Sequence, residues 1–309
     1  MGYGRLAQGP RGQLVNFPRR VLELPIWGAS WFFALWALVL AVYMSGSGDP
    51  DRELYLTAVV RPLYGPTPVD LPFPFMYSPV AVELFRLLTW MPMSVFLFLL
   101  ALAGCVTVAW LVAPLGVRWA PQVFLIVLPV TLYGNLEWLF ALVAVLALCS
   151  PVVWAIPLLT KVAPGVGAFW YLGRRDWRSF AIAVAVPSAI AGVSMALEPG
   201  LWGDWFAMLA RNIMNSQLGS VPLQLRGPVA LALVLWGGRT GRTWTIVAAM
   251  VLTRADLYLT ESATLVALPR LLLAGRLIRN QQAHAIPSSI APEGGLAPQA
   301  PSYPGPSTA

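Results

Sequence analysis

Residues 26–44 read Ile-Trp-Gly-Ala-Ser-Trp-Phe-Phe-Ala-Leu-Trp-Ala-Leu-Val-Leu-Ala-Val-Tyr-Met, a run without one charged side chain. A helix of that length suits a bilayer's ~30 Å hydrocarbon core, and the run is too long for the alternating strands of an outer-membrane barrel. Comparable runs recur to residue 278. They make 58% of the 309 residues apolar and leave 11% charged, with a mean hydropathy of +0.70. A soluble domain is nearer half apolar with about a quarter of its residues charged. The fold class expected is therefore all-α, a polytopic transmembrane helix bundle.

Upstream of this run, Met1 to Arg20 is polar and basic. The apolar run is too long for a signal-peptide core and lacks a good small-residue cleavage site, so it is expected to stay as a first helix. Spans are expected at about 26–46, 75–91, 94–114, 119–133, 135–150, 152–172, 179–196, 226–237, 243–261 and 263–278, about ten in all. Several fall short of a straight crossing and read as half-helices or re-entrant segments. Gly134-Asn135 divides the 119–150 region in two. The chain thus divides into a cytoplasmic segment 1–25, a membrane domain 26–280 and a tail 281–309. That tail, rich in Pro, Ser, Ala and Gly, cannot bury a core and is expected to be disordered.

The net charge of +7 comes almost wholly from arginine. Scattered between spans, the arginines orient a chain in a bilayer and do not form a nucleic-acid face. Arg5, Arg11, Arg19 and Arg20 precede the first span. Arg174, Arg175 and Arg178 share one loop, Arg239 and Arg242 another, and Arg276 and Arg279 follow the last span. Placing all four groups in the cytoplasm puts both termini there and turns loops 47–74 and 197–225 outward. Each outward loop carries a candidate surface helix, 52–64 and 201–214. Cys105 and Cys149 lie in apolar runs and read as small core residues, without a disulfide framework.

Just past the first span comes Gly48-Asp49-Pro50-Asp51-Arg52-Glu53. Carboxylates are costly beside hydrocarbon, which marks this cluster for chemistry. Asp49 and Asp51 suit a general base of raised pKa, a divalent-metal pair or a plain helix cap, and spacing alone leaves all three open. Glu83 and Arg86 sit at i, i+3 and suit a mutual pair. Glu137 follows the Gly134-Asn135 break and faces either a cavity or a partner. Lys161, the sole lysine, lies between Pro157 and Pro164. Two prolines there suggest a broken helix lining a cavity, where an ammonium would suit a phosphate; a lysine snorkelling from a helix end is the alternative. Arg254 and Asp256 are two apart and need partners on other helices. Walker, Rossmann, zincin and nucleophile-elbow motifs are all missing from the sequence.

Five stretches, in order, resemble the GT-C superfamily of integral-membrane glycosyltransferases. They are Asp51 with Tyr55, Ala58 and Gly65; Phe75-Met76-Tyr77-Ser78-Pro79; Tyr133-Gly134-Asn135; Lys161-Val162-Ala163-Pro164; and Arg174-Arg175-Asp176-Trp177-Arg178. Within it they are most similar to the bacterial branch containing the phosphatidylinositol-mannoside mannosyltransferases of actinobacteria. Ser78 stands where that branch usually has a proline, Asn135 where glutamine is usual, and the chain is short for the family. The resemblance implies an inverting transfer of a hexose, with mannose as the expected sugar. The donor would be a polyprenyl-phosphate sugar and the acceptor a lipid or glycan on the outer face of the plasma membrane. It implies Asp51 as general base with Asp49 as substitute, and Lys161 with Arg61 on the donor phosphate. Tyr55, Tyr77, Asn135 and Glu137 would bind substrate, with no cofactor and no metal. A transporter or flippase is the runner-up, because broken helices and buried charges suit it too. A non-catalytic member of an envelope assembly is a third reading.

Overall fold

The computed structural model describes residues 17–45, 64, 77–88, 90–132, 134–215, 217–218, 221–253 and 259–284. Among them regular structure is helical, apart from a ladder pairing β1 (Gln217–Leu218) with β2 (Val221–Pro222). Two helical stretches, Met93–Leu132 and Trp177–Leu197, are long and apolar enough to cross a membrane, with mean hydropathies of 2.6 and 2.1.

Helix α1 (Phe17–Ser45) starts before the expected residue 26. Pro18 fits a first turn, where its missing N–H is no loss, and Val21 to Leu24 continue the helix. Ala34 and Ala37 are buried, while Phe32, Phe33, Val39 and Val42 are exposed. Helix α2 (Pro79–Leu88) opens on a proline and buries Ala81, Val82 and Phe85. At 10 residues it is about 15 Å long, half the crossing expected over 75–91. α3 (Met93–Val112) and α4 (Gly116–Leu132) form a hairpin through a 3-10 turn at Ala113–Leu115. α4 packs on α1, where Arg118 Nη1 lies 3.3 Å from Glu23 Oε2.

The sequence break at Gly134-Asn135 is present. Gly134 has φ +77°, a conformation that suits glycine, and α5 (Glu137–Leu146) begins three residues later. The span expected over 152–172 is broken, as its prolines imply. It comprises a 3-10 turn (Pro151–Trp154), α6 (Ala155–Thr160), an extended Lys161, a second 3-10 turn (Ala163–Ala168) and α7 (Phe169–Gly173).

Asp176 caps α8 (Trp177–Leu197), accepting from Ser179 N at 3.1 Å. The expected helix at 201–214 is α9 (Pro199–Asn215), whose Trp202 donates from Nε1 to Ser194 Oγ at 3.1 Å. α10 (Leu223–Thr240) ends on Gly241 at φ +66° and is followed by α11 (Trp244–Leu252). A 3-10 stretch (Leu259–Ala267) leads into α12 (Leu268–His284), which outruns the expected boundary at 280. Gln281, Gln282 and Ala283 are good helix formers and carry it on.

Most of these elements share one core around Leu111, Phe140, Trp154, Ile246 and Leu271. A second cluster joins Tyr64 and Tyr77 to α2, Leu136 and the tryptophans of α9. At one end of the molecule α7 meets α10 so closely that a Cβ on Gly173 would strike Leu235 O, and one on Gly238 would strike Trp170 O. That contact sets the arginine loop 174–178 beside Arg239 and Arg242. α12 reaches the same end, where Arg279 Nη1 donates to Gly241 O at 3.4 Å.

Candidate functional site

At the other end of α7, four of the sequence candidates gather. Lys161 is the residue after α6, where the chain leaves the helix and turns extended, with φ −116° and ψ 102°. Pro164 has no N–H to offer Thr160 O, so that carbonyl is left over by the helix. Ser78 N donates to it instead, at 3.2 Å, and Ser78 Oγ donates to Leu159 O. Beyond the break, Thr253 Oγ1 donates to Ala163 O at 3.0 Å. The disrupted backbone is thus held by Ser78, just before α2, and by Thr253 at the end of α11.

This clamp aims the lysine. Its Nζ stands 3.4 Å from Glu137 Oε1 and 5.4 Å from the centre of the Tyr77 ring, favourable for an ion pair and a cation–π contact. Glu137 is wholly buried, whereas the Lys161 side chain is 31% exposed. A buried carboxylate without partners would cost several kcal/mol. Here Thr264 Oγ1 donates to its second oxygen, Oε2, at 3.0 Å. Its place at the start of α5 adds the positive pole of a helix. Asn135 serves the same helix: its Oδ1 accepts from Glu137 N at 3.0 Å, a capping bond.

Tyr77 is 5% exposed and packs edge-on to Phe85 at 5.4 Å. Its carbonyl accepts from Tyr64 Oη at 2.7 Å. Burial pushes the Tyr64 phenol well up, with Arg86 opposing and Glu83 adding, so it stays a neutral donor. Glu83 and Arg86 pair with each other, as their spacing suggested. The arrangement has a definite chemical sense. A single ammonium, fixed from behind by a carboxylate and from one side by an aromatic ring, keeps an accessible face on which an anion can sit.

No family model, curated protein or solved structure matches this chain.

The structure therefore brings together Tyr77, Asn135, Glu137 and Lys161. Asp49, Asp51, Tyr55 and Arg61, with the helix expected at 52–64, lie outside the described residues, as do Arg254, Asp256 and Tyr258. Among the described residues no three His, Cys, Asp or Glu side chains converge to hold a metal ion. Sequence reasoning missed two contributors. Thr264 is a neutral residue in an apolar run and carries no signal of its own. Arg226, 6% exposed, donates from Nη1 to Leu252 O at 2.9 Å, satisfying the end of α11 next to Thr253. It stands at the start of the span expected at 226–237, and nothing in the sequence marks its backbone partner.

Proposed function

We propose that this chain is a multi-pass membrane glycosyltransferase. It moves a hexose, mannose first among candidates, from a polyprenyl-phosphate donor to a lipid or glycan acceptor on the extracytoplasmic face. The observation that carries this reading is the clamped Lys161, paired with Glu137 over Tyr77, at the opposite end of α7 from the arginine loops. Its exposed face suits the donor phosphate and the charge that develops on that phosphate as the sugar leaves. Arg61 assists it. Asp51, with Asp49 as substitute, takes the proton from the acceptor hydroxyl. Tyr77 and Tyr55 flank the substrate, while Asn135 and Glu137 act from beneath by fixing the lysine.

The chain is read as crossing about ten times, with both termini cytoplasmic and the acidic loop outside; among the described residues, Met93–Leu132 and Trp177–Leu197 are long and apolar enough to cross.

The test is transfer from polyprenyl-phosphate mannose to endogenous membrane lipids, at equal expression, by wild type, Asp51→Asn, Asp49→Asn and Lys161→Gln. Loss of product in Asp51→Asn and Lys161→Gln alone supports the assignments. Full activity in every variant overturns them.

A transporter or flippase is the second reading, and one observation favours it. Trp138 and Thr131, on either side of the Glu137 turn, pack at Gly104 in the middle of α3, which suits a transporter's buried charge near the midplane. Uptake of a lipid-linked substrate into vesicles without sugar transfer would select this reading.

A further inference from the structure

At the arginine end, three segments distant in sequence form one surface. The 174–178 loop touches α10 through Gly173 and Gly238. Thr243 Oγ1 donates to Leu271 O, and Arg279 reaches Gly241 O. Arg174, Arg178, Arg239, Arg242, Arg276 and Arg279 are all exposed there. The one carboxylate in these segments, Asp176, is engaged by Ser179, whose hydrogen bonds hold it below the usual range, with Arg174 and Arg178 adding to the effect.

Two further features suit a headgroup. Tryptophans lie under two of the guanidinium groups, the buried Trp170 4.9 Å from Arg174 and the exposed Trp236 4.5 Å from Arg242, and an exposed tryptophan beside charge suits the headgroup level. The α7 terminus closes with Arg175 N on Leu172 O at 3.0 Å and Asp176 N on Tyr171 O at 3.0 Å, which forces the residue between into the left-handed region. That residue is Arg175, at φ +62°. Glycine fits such a position without the steric cost of a Cβ, so an arginine here adds charge at the expense of backbone ease.

We propose that this surface binds the headgroups of anionic phospholipids in the cytoplasmic leaflet. The inference rests on the multi-pass reading and is independent of the sugar chemistry. Basic pockets at the cytoplasmic ends of membrane helices hold anionic headgroups through such charge convergence.

The experiment titrates the purified full-length chain in neutral detergent with phosphatidylglycerol, phosphatidylcholine or inorganic phosphate. Melting temperature and lipid retained in native mass spectra are recorded. Phosphatidylglycerol should raise the melting temperature and stay bound, and phosphatidylcholine should do neither. The triple variant Arg174→Gln, Arg239→Gln, Arg242→Gln should weaken retention at least about tenfold. Arg118→Gln, outside the surface, should leave it unchanged. Arg175→Gly guards against a misfolded triple variant: it should melt higher than wild type without lipid and still bind phosphatidylglycerol more weakly. Equal retention of the two lipids, equal stabilisation by free phosphate, or undiminished binding by Arg175→Gly would each overturn the proposal. Since sugar transfer is not measured, a chain inactive as a transferase can still pass.

Discussion

Glu137 has no exposed surface, and its partners Lys161 and Thr264 lie 24 and 127 positions away in the chain. Such a carboxylate ties remote segments together and makes the fold depend on a single charge. Glu137→Gln keeps an acceptor for Thr264 but removes the counter-charge from Lys161. It should cost about 1–3 kcal/mol, toward the lower end because Lys161 is partly exposed and polar contacts in membranes are often weak. Glu137→Ala, which strands Thr264 as well, should cost more. Unfolding midpoints of the purified variants in detergent provide the check; midpoints equal to wild type would remove the pair from the fold's framework. At this scale the sequence spoke through charge. Lys161 and Glu137 stood out as ionisable groups in apolar surroundings. Thr264 did not, because a hydroxyl in a hydrophobic run looks the same whether it bonds its own helix or a distant carboxylate.

Among the elements, the broken segment shows how one proline is answered by another helix. Pro164 frees Thr160 O, and Ser78, the residue just before α2, supplies both its N–H and its hydroxyl to the open turn. A proline at this place could offer neither donor. Ser78→Ala should destabilise by about 1 kcal/mol, and Ser78→Pro by distinctly more, since a buried carbonyl then goes unmet. Limited proteolysis around 159–163 should accelerate in the same order, and unchanged cleavage in Ser78→Pro would contradict the clamp. Pro157 and Pro164 made the break legible in the sequence. What could not be read was how long each helix runs. The run 75–91 is apolar apart from a few polar side chains and the Glu83–Arg86 pair, but the helix within it is only 10 residues, because the contacts of Tyr77 and Ser78 hold its start against Thr160.

Over the whole molecule, the two ends are unlike. One gathers guanidinium groups; the other holds the Lys161–Glu137 ion pair. The α7–α10 crossing at Gly173 and Gly238 fixes the arginine end. Gly238→Ala would drive a methyl group into the Trp170 carbonyl and should cost about 1–3 kcal/mol, with a matching fall in melting temperature. An unchanged melting temperature would show that the helices separate easily.

The segment carrying Lys161 is tied on one side by Ser78 at Leu159 O and Thr160 O and on the other by Thr253 at Ala163 O. A stretch fastened at both ends cannot swing over a ligand as a lid would. Under the proposed function, the donor would have to come to the lysine, and the protein would meet it as a fixed socket, not as a closing jaw.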